Sequence, residues 1–171
     1  MSNVPYASAM ESLMHAMLCT RSEICFTIGL VSRYQSNPRL AHWQAIKRIF
    51  RYLSDTSDLF LCYQGGDLEL RRYTNTNWGG NLDEFRSTWG YVLTLGGEAI
   101  SWCSKKQDCI SLSTMKAEYV ACCLATKEAI WLRSFLQNLN ITPRVDDPAE
   151  KMCNNTAVYP VCWGSKVPQD D

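Results

Sequence analysis

Residues 89–102 read WGYVLTLGGEAISW. Two runs rich in apolar and aromatic residues flank the pair Gly96-Gly97. A glycine pair between two such runs is a strong signal for a β-hairpin with a tight turn. The stretch therefore predicts two antiparallel strands, Trp89–Leu95 and Ala99–Trp102, around which the other elements are placed.

The chain before this hairpin predicts a second one. Leu59–Tyr63 and Leu68–Tyr73 are strand-like runs, and Gly65-Gly66 lies between them as the turn. The following stretch, Thr74–Asn81, is rich in Thr, Asn and Gly, which favours a polar loop.

A long helix is predicted after the hairpins. Ser113 is a suitable N-cap for a helix from Thr114 to about Asn138. Its apolar residues are expected to form one broad buried face: Ala117, Val120, Ala121, Leu124, Ile130, Trp131, Phe135 and Leu136. Two more short strands are predicted at Cys109–Ser111 and Met152–Val158.

Residues 5–54 predict three helices. The second begins after residues 20–23, and Asn37-Pro38 separates it from the third. Helical spacing assigns apolar residues to the first helix (Tyr6, Met10, Leu13, Met14, Met17, Leu18) and to the third (Trp43, Ile46, Ile49, Phe50, Leu53). The opposite face of the third helix carries Lys47, Arg48 and Arg51, which we interpret as a solvated face.

Composition narrows the class of protein. The 171 residues are 46% hydrophobic and 20% charged, so a packed core is expected. Lys plus Arg and Asp plus Glu are both 17, and a net charge of zero provides no basic field for nucleic acid. The longest nearly uncharged apolar stretch, Ile24–Val31, is too short to span a membrane.

Targeting and redox signals are weak. Residues 1–10 contain no Lys or Arg, so the start is a poor secretory signal. The nine cysteines include no CxxC pair and no Cys/His cluster with zinc spacing, and this pattern favours an origin in a reducing compartment.

Several local motifs, taken in order, resemble the copia-type retrotransposon Pol polyprotein. They are Val4-Pro5-Tyr6, Arg33-Tyr34-Gln35-Ser36-Asn37-Pro38, His42-Trp43, Arg51-Tyr52-Leu53, Thr74-Asn75-Thr76-Asn77-Trp78, Ser87-Thr88 and Ser113-Thr114-Met115-Lys116-Ala117-Glu118-Tyr119.

The resemblance spans roughly residues 4–158, from the end of the reverse transcriptase into the ribonuclease H domain. It implies an α/β (α+β) fold, in which N-terminal helices precede a truncated ribonuclease H-like mixed sheet with one long helix. Three antiparallel strands are expected before that helix and a parallel strand after it. The implied organisation is a helical segment over 1–57, the ribonuclease H-like domain over 58–158 and a disordered tail over 159–171.

The family's nuclease site holds two Mg²⁺ ions with aspartate and glutamate side chains. Alignment of the motifs implies that three positions carry these acids, and they are occupied here by Asn75, Glu118 and Asn154, with Asn77 at a companion aspartate position. An amide carbonyl is neutral and cannot offset the repulsion between two dications. We therefore expect no bound metal, no cofactor and no nuclease activity.

Ordinary structural roles are sufficient to explain the residues at these aligned positions. Asn75 and Asn77 are interpreted as turn residues, and Glu118 as an exposed helix residue. Lys116 stands where the family has a glutamate that completes a capping box with Ser113. Loss of this glutamate weakens the start of the helix. Nothing in the sequence places the loop acids Asp83, Glu84, Asp146 and Asp147 at the site.

Nucleic acid is not expected as a partner. The catalytic aspartates of the polymerase would lie upstream of Met1, and the available cations are few: Lys47, Arg48, Arg51, Arg71, Arg72, Lys105 and Lys106. A weak RNA–DNA hybrid binder, or a relic or domesticated Pol fragment, is the alternative reading.

The chain also resembles copia-derived secreted RxLR effectors of oomycete plant pathogens. Arg51-Tyr52-Leu53-Ser54 matches an RxLR pattern in three positions, lies inside a predicted helix and is followed by no acidic run. An initial Met, the lost carboxylates and an unmatched tail add to this expectation. The expected function is that of a pseudoenzyme secreted into the host cell nucleus or cytoplasm, where it contributes to virulence by binding a host protein and suppressing defence; an intracellular location is the alternative.

Overall fold

The computed structural model describes residues 4–63, 68–81, 86–110, 113–141 and 150–153. The chain forms two compact units, residues 1–62 and residues 63–171, each with most of its contacts inside itself. The predicted tail over 159–171 lies outside the described residues.

The first unit is helical, as predicted. Its three α-helices are α1 (Tyr6–Cys19), α2 (Cys25–Val31) and α3 (Leu40–Asp55), and short 3₁₀ turns cover Ser22–Ile24 and Ser32–Tyr34. α3 begins two residues after Pro38, whose ring cannot continue a helix.

One hydrophobic cluster holds the first unit together. Its buried members are Tyr6, Met10, Leu13, Ile24, Ile28, Val31, Ile46 and Ile49. The Tyr6 hydroxyl donates a hydrogen bond to the carbonyl of Val31 at 2.8 Å, which ties α1 to the end of α2. Met14, Leu18 and Phe50 were predicted on buried faces but are exposed, because each lies at the margin of its apolar stripe.

The second unit is a mixed sheet with one long helix. In chain order it comprises β1 (Leu70–Asn81), β2 (Arg86–Leu95), β3 (Glu98–Lys106), α4 (Thr114–Asn138) and β4 (Glu150–Cys153). The strand order is β3-β2-β1-β4, with β4 parallel to β1 and the other pairs antiparallel. This arrangement confirms the predicted ribonuclease H-like mixed sheet, and β4 covers the first two residues of the strand predicted over 152–158.

The β2–β3 hairpin is confirmed, and its turn explains the glycine pair. Gly96 has φ of 62° and Gly97 has φ of 90°. Two consecutive positive φ angles are the requirement of the tight turn that matches strand twist, and glycine meets it without a steric penalty.

Three strand and loop predictions are wrong. Leu59–Tyr63 was predicted as the first strand of a hairpin but forms no strand. The partners of β1 are β2 and β4. Residues 74–81 were predicted as a loop, but they continue β1, because residues 74–77 and Asn81 pair with β2, with a register shift between Asn77 and Asn81. Cys109 and Ile110 are not in a strand.

α4 covers one face of the sheet. Leu70 and Leu93 pack with Ala129, and the Arg72 guanidinium donates to the Thr126 hydroxyl at 2.9 Å. Alternation along β1 therefore turns Leu70, Arg72 and Thr74 toward the helix.

The single broad apolar face predicted for α4 is wrong in part. Ala117, Ala121 and Leu136 are buried, but Ile130, Trp131, Phe135 and Leu124 are exposed. The buried stripe consists mostly of alanine and cysteine, because small side chains allow the helix to lie close to the sheet. The larger apolar side chains form a second face that points to solvent.

Candidate functional site

Asn75 and Asn77 lie on β1 and not in a turn, which corrects the sequence prediction. Asn75 is paired with Gly90 and Asn77 with Thr88 across the antiparallel ladder. Both side chains are exposed. They alternate with Thr74, which faces α4, so the two amides share the opposite face of the sheet.

Glu118 is buried, with a relative exposure of 8%, whereas the sequence predicted an exposed helix residue. It lies on the stripe of α4 that faces the sheet, together with Ala121, Cys122 and Ala125. Strand alternation therefore places Glu118 and the pair Asn75 and Asn77 on different faces of β1.

Hydrogen bonds fix the start of α4 against the hairpin. The Gln107 backbone N–H donates to the Ser87 carbonyl at 2.8 Å, and the Gln107 side-chain amide donates to the Ala117 carbonyl at 2.9 Å. Gln107 is only 2% exposed. Sequence reasoning missed this residue, because a lone glutamine after a strand carries no recognisable signal. The predicted cap is confirmed, since Ser113 Oγ accepts from the Lys116 N–H at 3.2 Å.

The described donors do not suit a pair of magnesium ions. Asn75 and Asn77 offer neutral carbonyl oxygens, and the one carboxylate of the aligned set, Glu118, is on the other face. In the part of the chain that the structure describes, no group of three His, Cys, Asp or Glu side chains could hold a metal. Asn154, like the loop acids Asp83, Glu84, Asp146 and Asp147, lies outside the described residues.

The cations singled out in the sequence have different surroundings. Arg72 is 6% exposed and bonded to Thr126, so its inclusion among the available surface cations is wrong. Arg71 forms an ion pair with Glu69 at 2.9 Å. On α3, Lys47 and Arg48 are exposed, which agrees with the predicted solvated face.

The RxLR-like stretch Arg51–Ser54 lies within α3, as predicted. Leu53 packs against the hydrophobic cluster of the first unit, whereas Arg51 and Ser54 are exposed. The leucine of the motif therefore packs against the core of the first unit.

None of the helices in the described ranges has both the length and the apolarity needed to cross a bilayer.

Comparison with known proteins gives several relatives, among them transposon Pol polyproteins and a secreted effector. No protein-family model matches the chain, and no solved structure does. The chain is 48% identical over 141 residues to the retrovirus-related Pol polyprotein from transposon TNT 1-94 of Nicotiana tabacum and 34% identical over 159 residues to that from transposon RE2 of Arabidopsis thaliana. These matches cover 82% and 92% of the chain but only 11% of each polyprotein.

Another relative is much shorter than these polyproteins. The chain is 41% identical over 133 residues to secreted RxLR effector protein 161 of Plasmopara viticola, a match that covers 77% of the chain and 94% of the effector. The resemblance inferred from the motifs is thereby confirmed. The chain belongs to the family of proteins related to copia-type retrotransposon Pol, of which this effector is also a relative.

Proposed function

We propose that the protein is a catalytically silent, ribonuclease H-like member of the copia Pol family that acts as a secreted effector. In this proposal it enters plant host cells and dampens defence or cell death by binding a host protein. The observation that carries the effector role is the 41% identity to a secreted RxLR effector over 94% of that protein's length.

The donor chemistry at the family's metal site supports the loss of catalysis. Asn75 and Asn77 present amides on one face of β1, and Glu118 is buried on the other. Two Mg²⁺ ions at close range need several ionised oxygens to offset their mutual repulsion. A protein of this kind acts by contact and not by turnover.

An exposed aromatic pair on α4 supports the protein-contact part of the proposal. The rings of Trp131 and Phe135 are stacked, with centroids 5.5 Å apart and planes 8° from parallel. Trp131 is 59% exposed and Phe135 46%, and Ile130 beside them is 59% exposed. Contiguous exposed apolar side chains mark interaction surfaces in soluble proteins, and aromatic residues dominate the binding energy of interfaces.

The contact surface is tested by a cell-death assay in leaf cells. The chain is expressed in the cytoplasm of those cells beside the double variant Trp131→Ala/Phe135→Ala. We expect the unchanged chain to reduce triggered cell death and the double variant to lose most of that effect, at equal protein level.

Phe26→Ala is the matched control. Phe26 is an aromatic residue of the first unit with 43% exposure, close to that of Phe135, so its loss removes similar apolar surface elsewhere. We expect this variant to behave as the unchanged chain does. Equal loss of effect in both variants would contradict the assignment to α4, and no effect of the unchanged chain would contradict the effector role.

Secretion is tested separately. Protein recovered from the medium of an oomycete that expresses the chain is analysed by N-terminal sequencing. A processed N-terminus in the medium supports export, whereas full-length protein found only inside the cells supports the alternative of an intracellular Pol-derived fragment.

The 48% identity to a Pol polyprotein favours a second candidate function, weak binding of RNA–DNA hybrids. Binding of this kind depends on phosphate contacts and weakens steeply with salt. A salt series with a labelled hybrid distinguishes the two functions, because absence of binding even at low salt removes this candidate.

A further inference from the structure

The outer side of α4 has the residue spacing of a surface that receives another helix. Val120, Leu124, Lys127 and Trp131 follow one another at alternating intervals of four and three residues. Such steps keep side chains on one side of a helix, and they are the spacing at which one helix packs along another. Leu124, Lys127 and Trp131 are exposed, so this row of side chains is open to solvent.

Apolar side chains widen the row into a patch. Ile130 and Phe135 are exposed beside Trp131, and the Phe135 ring stacks on the indole. The core of the second unit uses the opposite side of the helix, where Ala125 and Ala129 are buried. The outer patch, defined by these exposed side chains around Lys127, is therefore not needed to hold α4 on the sheet.

Lys127 is a positive charge in the middle of the outer patch. None of the residues three or four positions away on α4 is acidic; they are Cys123, Leu124, Ile130 and Trp131. Glu128 is next in the chain, but adjacent residues of a helix do not face each other. Neither ion pair found among the described residues includes Lys127.

The charge of Lys127 determines what can cover the patch. An ammonium group that is removed from water beneath an apolar surface is unfavourable unless a negative group pairs with it. A partner that covers the outer patch therefore has to bring a carboxylate to Lys127.

A second copy of the chain does not meet this requirement. Two α4 helices paired in parallel and in register place Lys127 next to the same residue of the other copy, and antiparallel pairing about the middle of the patch does so as well. Like charges side by side in an interface oppose binding. A single charged residue in such a row selects the partner and the register of paired helices.

We propose that the outer patch of α4 binds an amphipathic helix of the protein partner, with apolar residues at matching intervals and a carboxylate opposite Lys127. This inference rests on the proposed protein contact through α4, and it adds the form and the charge of the partner. Residues 120–135 extend over about 22 Å of helix, so a partner helix of about three heptads covers the patch.

The experiment measures the binding of three labelled peptides to the full chain by fluorescence polarisation. Each peptide has three heptads with leucine at the apolar positions, and the three differ only at one central position, which is glutamate, glutamine or lysine. The labelled peptides are kept at low concentration so that they do not pair with one another.

Four variants are compared with the unchanged chain: Lys127→Glu, Lys127→Gln, Trp131→Ala and Lys105→Glu. Lys105→Glu is the matched control, because it changes another exposed lysine of the second unit, on β3, by the same charge. Circular dichroism verifies that each variant is folded, which is expected because all three positions are exposed.

The unchanged chain should bind the glutamate peptide at least about tenfold more tightly than the lysine peptide, as expected for a close charge pair in an interface. Lys127→Glu should reverse this preference and Lys127→Gln should abolish it, whereas Lys105→Glu should leave it unchanged. Trp131→Ala should weaken the binding of all three peptides, because it removes the aromatic anchor.

Equal binding of the three peptides by the unchanged chain, or binding of none, would overturn the proposal, and so would a preference that survives in Lys127→Glu. Sedimentation of the unchanged chain as a dimer that Trp131→Ala dissociates would overturn it in favour of a second copy. The leaf-cell assay gives a separate result. Loss of its effect in Trp131→Ala/Phe135→Ala, without a peptide preference, would retain the proposed function and reject the acidic helix.

Discussion

Asn75 and Asn77 each differ from aspartate by one group, an amide nitrogen in place of a carboxylate oxygen. That replacement removes a negative charge from each side chain and leaves a neutral carbonyl acceptor. Both residues are exposed on β1, so solvent has access to their amides. The substitution therefore costs little stability, while it removes the charge that a cation pair requires.

Tyr6 gives a prediction on pH dependence. Burial raises the pKa of its phenol above the ordinary value, and its hydroxyl donates to Val31 in the core of the first unit. Above about pH 10 the unfolded phenol ionises while the folded one stays protonated, so folding stability falls as the pH rises. Below that range both states are neutral, and this contribution is fully present.

Tyr6→Phe should lower the free energy of unfolding by about 1 kcal/mol at neutral pH, which is the net value of a hydrogen bond. The difference in this free energy between the variant and the unchanged chain should shrink above about pH 10. Urea unfolding at several pH values measures both effects. Tyr73→Phe, at a tyrosine with 40% exposure, is the control and should show neither. A constant difference across the pH range would contradict the role assigned to the buried hydroxyl.

Glu118 illustrates what single-residue reasoning can predict. A charged residue on a helix is usually exposed, and no motif around Glu118 indicates that it is buried. The structure buries it because Ala121, Cys122 and Ala125 set the sheet-facing stripe and Glu118 continues that stripe toward the N-terminus. Its aligned position was recognisable from the motif, but its burial depends on strands that are distant in sequence.

The start of α4 gives a prediction on a helix end. Ser113 Oγ accepts from the Lys116 N–H, but Lys116 cannot return the second bond of a capping box. Ser113→Ala should lower the free energy of unfolding by about 1 kcal/mol. Lys116→Glu should raise it by about 0.5 kcal/mol, because a carboxylate there completes the box and suits the helix dipole.

Ser134→Ala is the matched control for the cap. Ser134 lies within α4, and its hydroxyl donates to the Ile130 carbonyl at 3.0 Å, a bond that competes with the helix ladder. Its loss should be neutral or slightly stabilising in denaturant unfolding. If Ser113→Ala and Ser134→Ala behave alike, the cap contributes nothing measurable.

The strands differ in how far local sequence predicts them. The β2–β3 hairpin was predictable, because its apolar runs and its glycine turn are neighbours in the chain. The second half of β1 was not, because Thr and Asn in residues 74–77 resemble a loop and become a strand only through pairing with residues 88–91. Asparagine is depleted in strands, so local preference opposed the tertiary outcome.

Across the second unit, the sheet and α4 leave two surfaces with different chemistry. One face of β1 presents the amides of Asn75 and Asn77, and the outer side of α4 presents Trp131 and Phe135. The helical period predicted α4 itself but could not separate its two apolar faces, since both recur at helical spacing. The proposed protein contact uses the second of these surfaces, the exposed aromatic side of α4.

We propose that the whole chain keeps the sheet of a nuclease but has lost its chemistry. Cleavage of a labelled RNA–DNA hybrid by the purified chain in millimolar Mg²⁺ tests this proposal, with an active ribonuclease H in parallel to verify the substrate. We expect no product above a reaction without protein, at any time point. Mg²⁺-dependent cleavage of the RNA strand that increases with the concentration of this chain would contradict it.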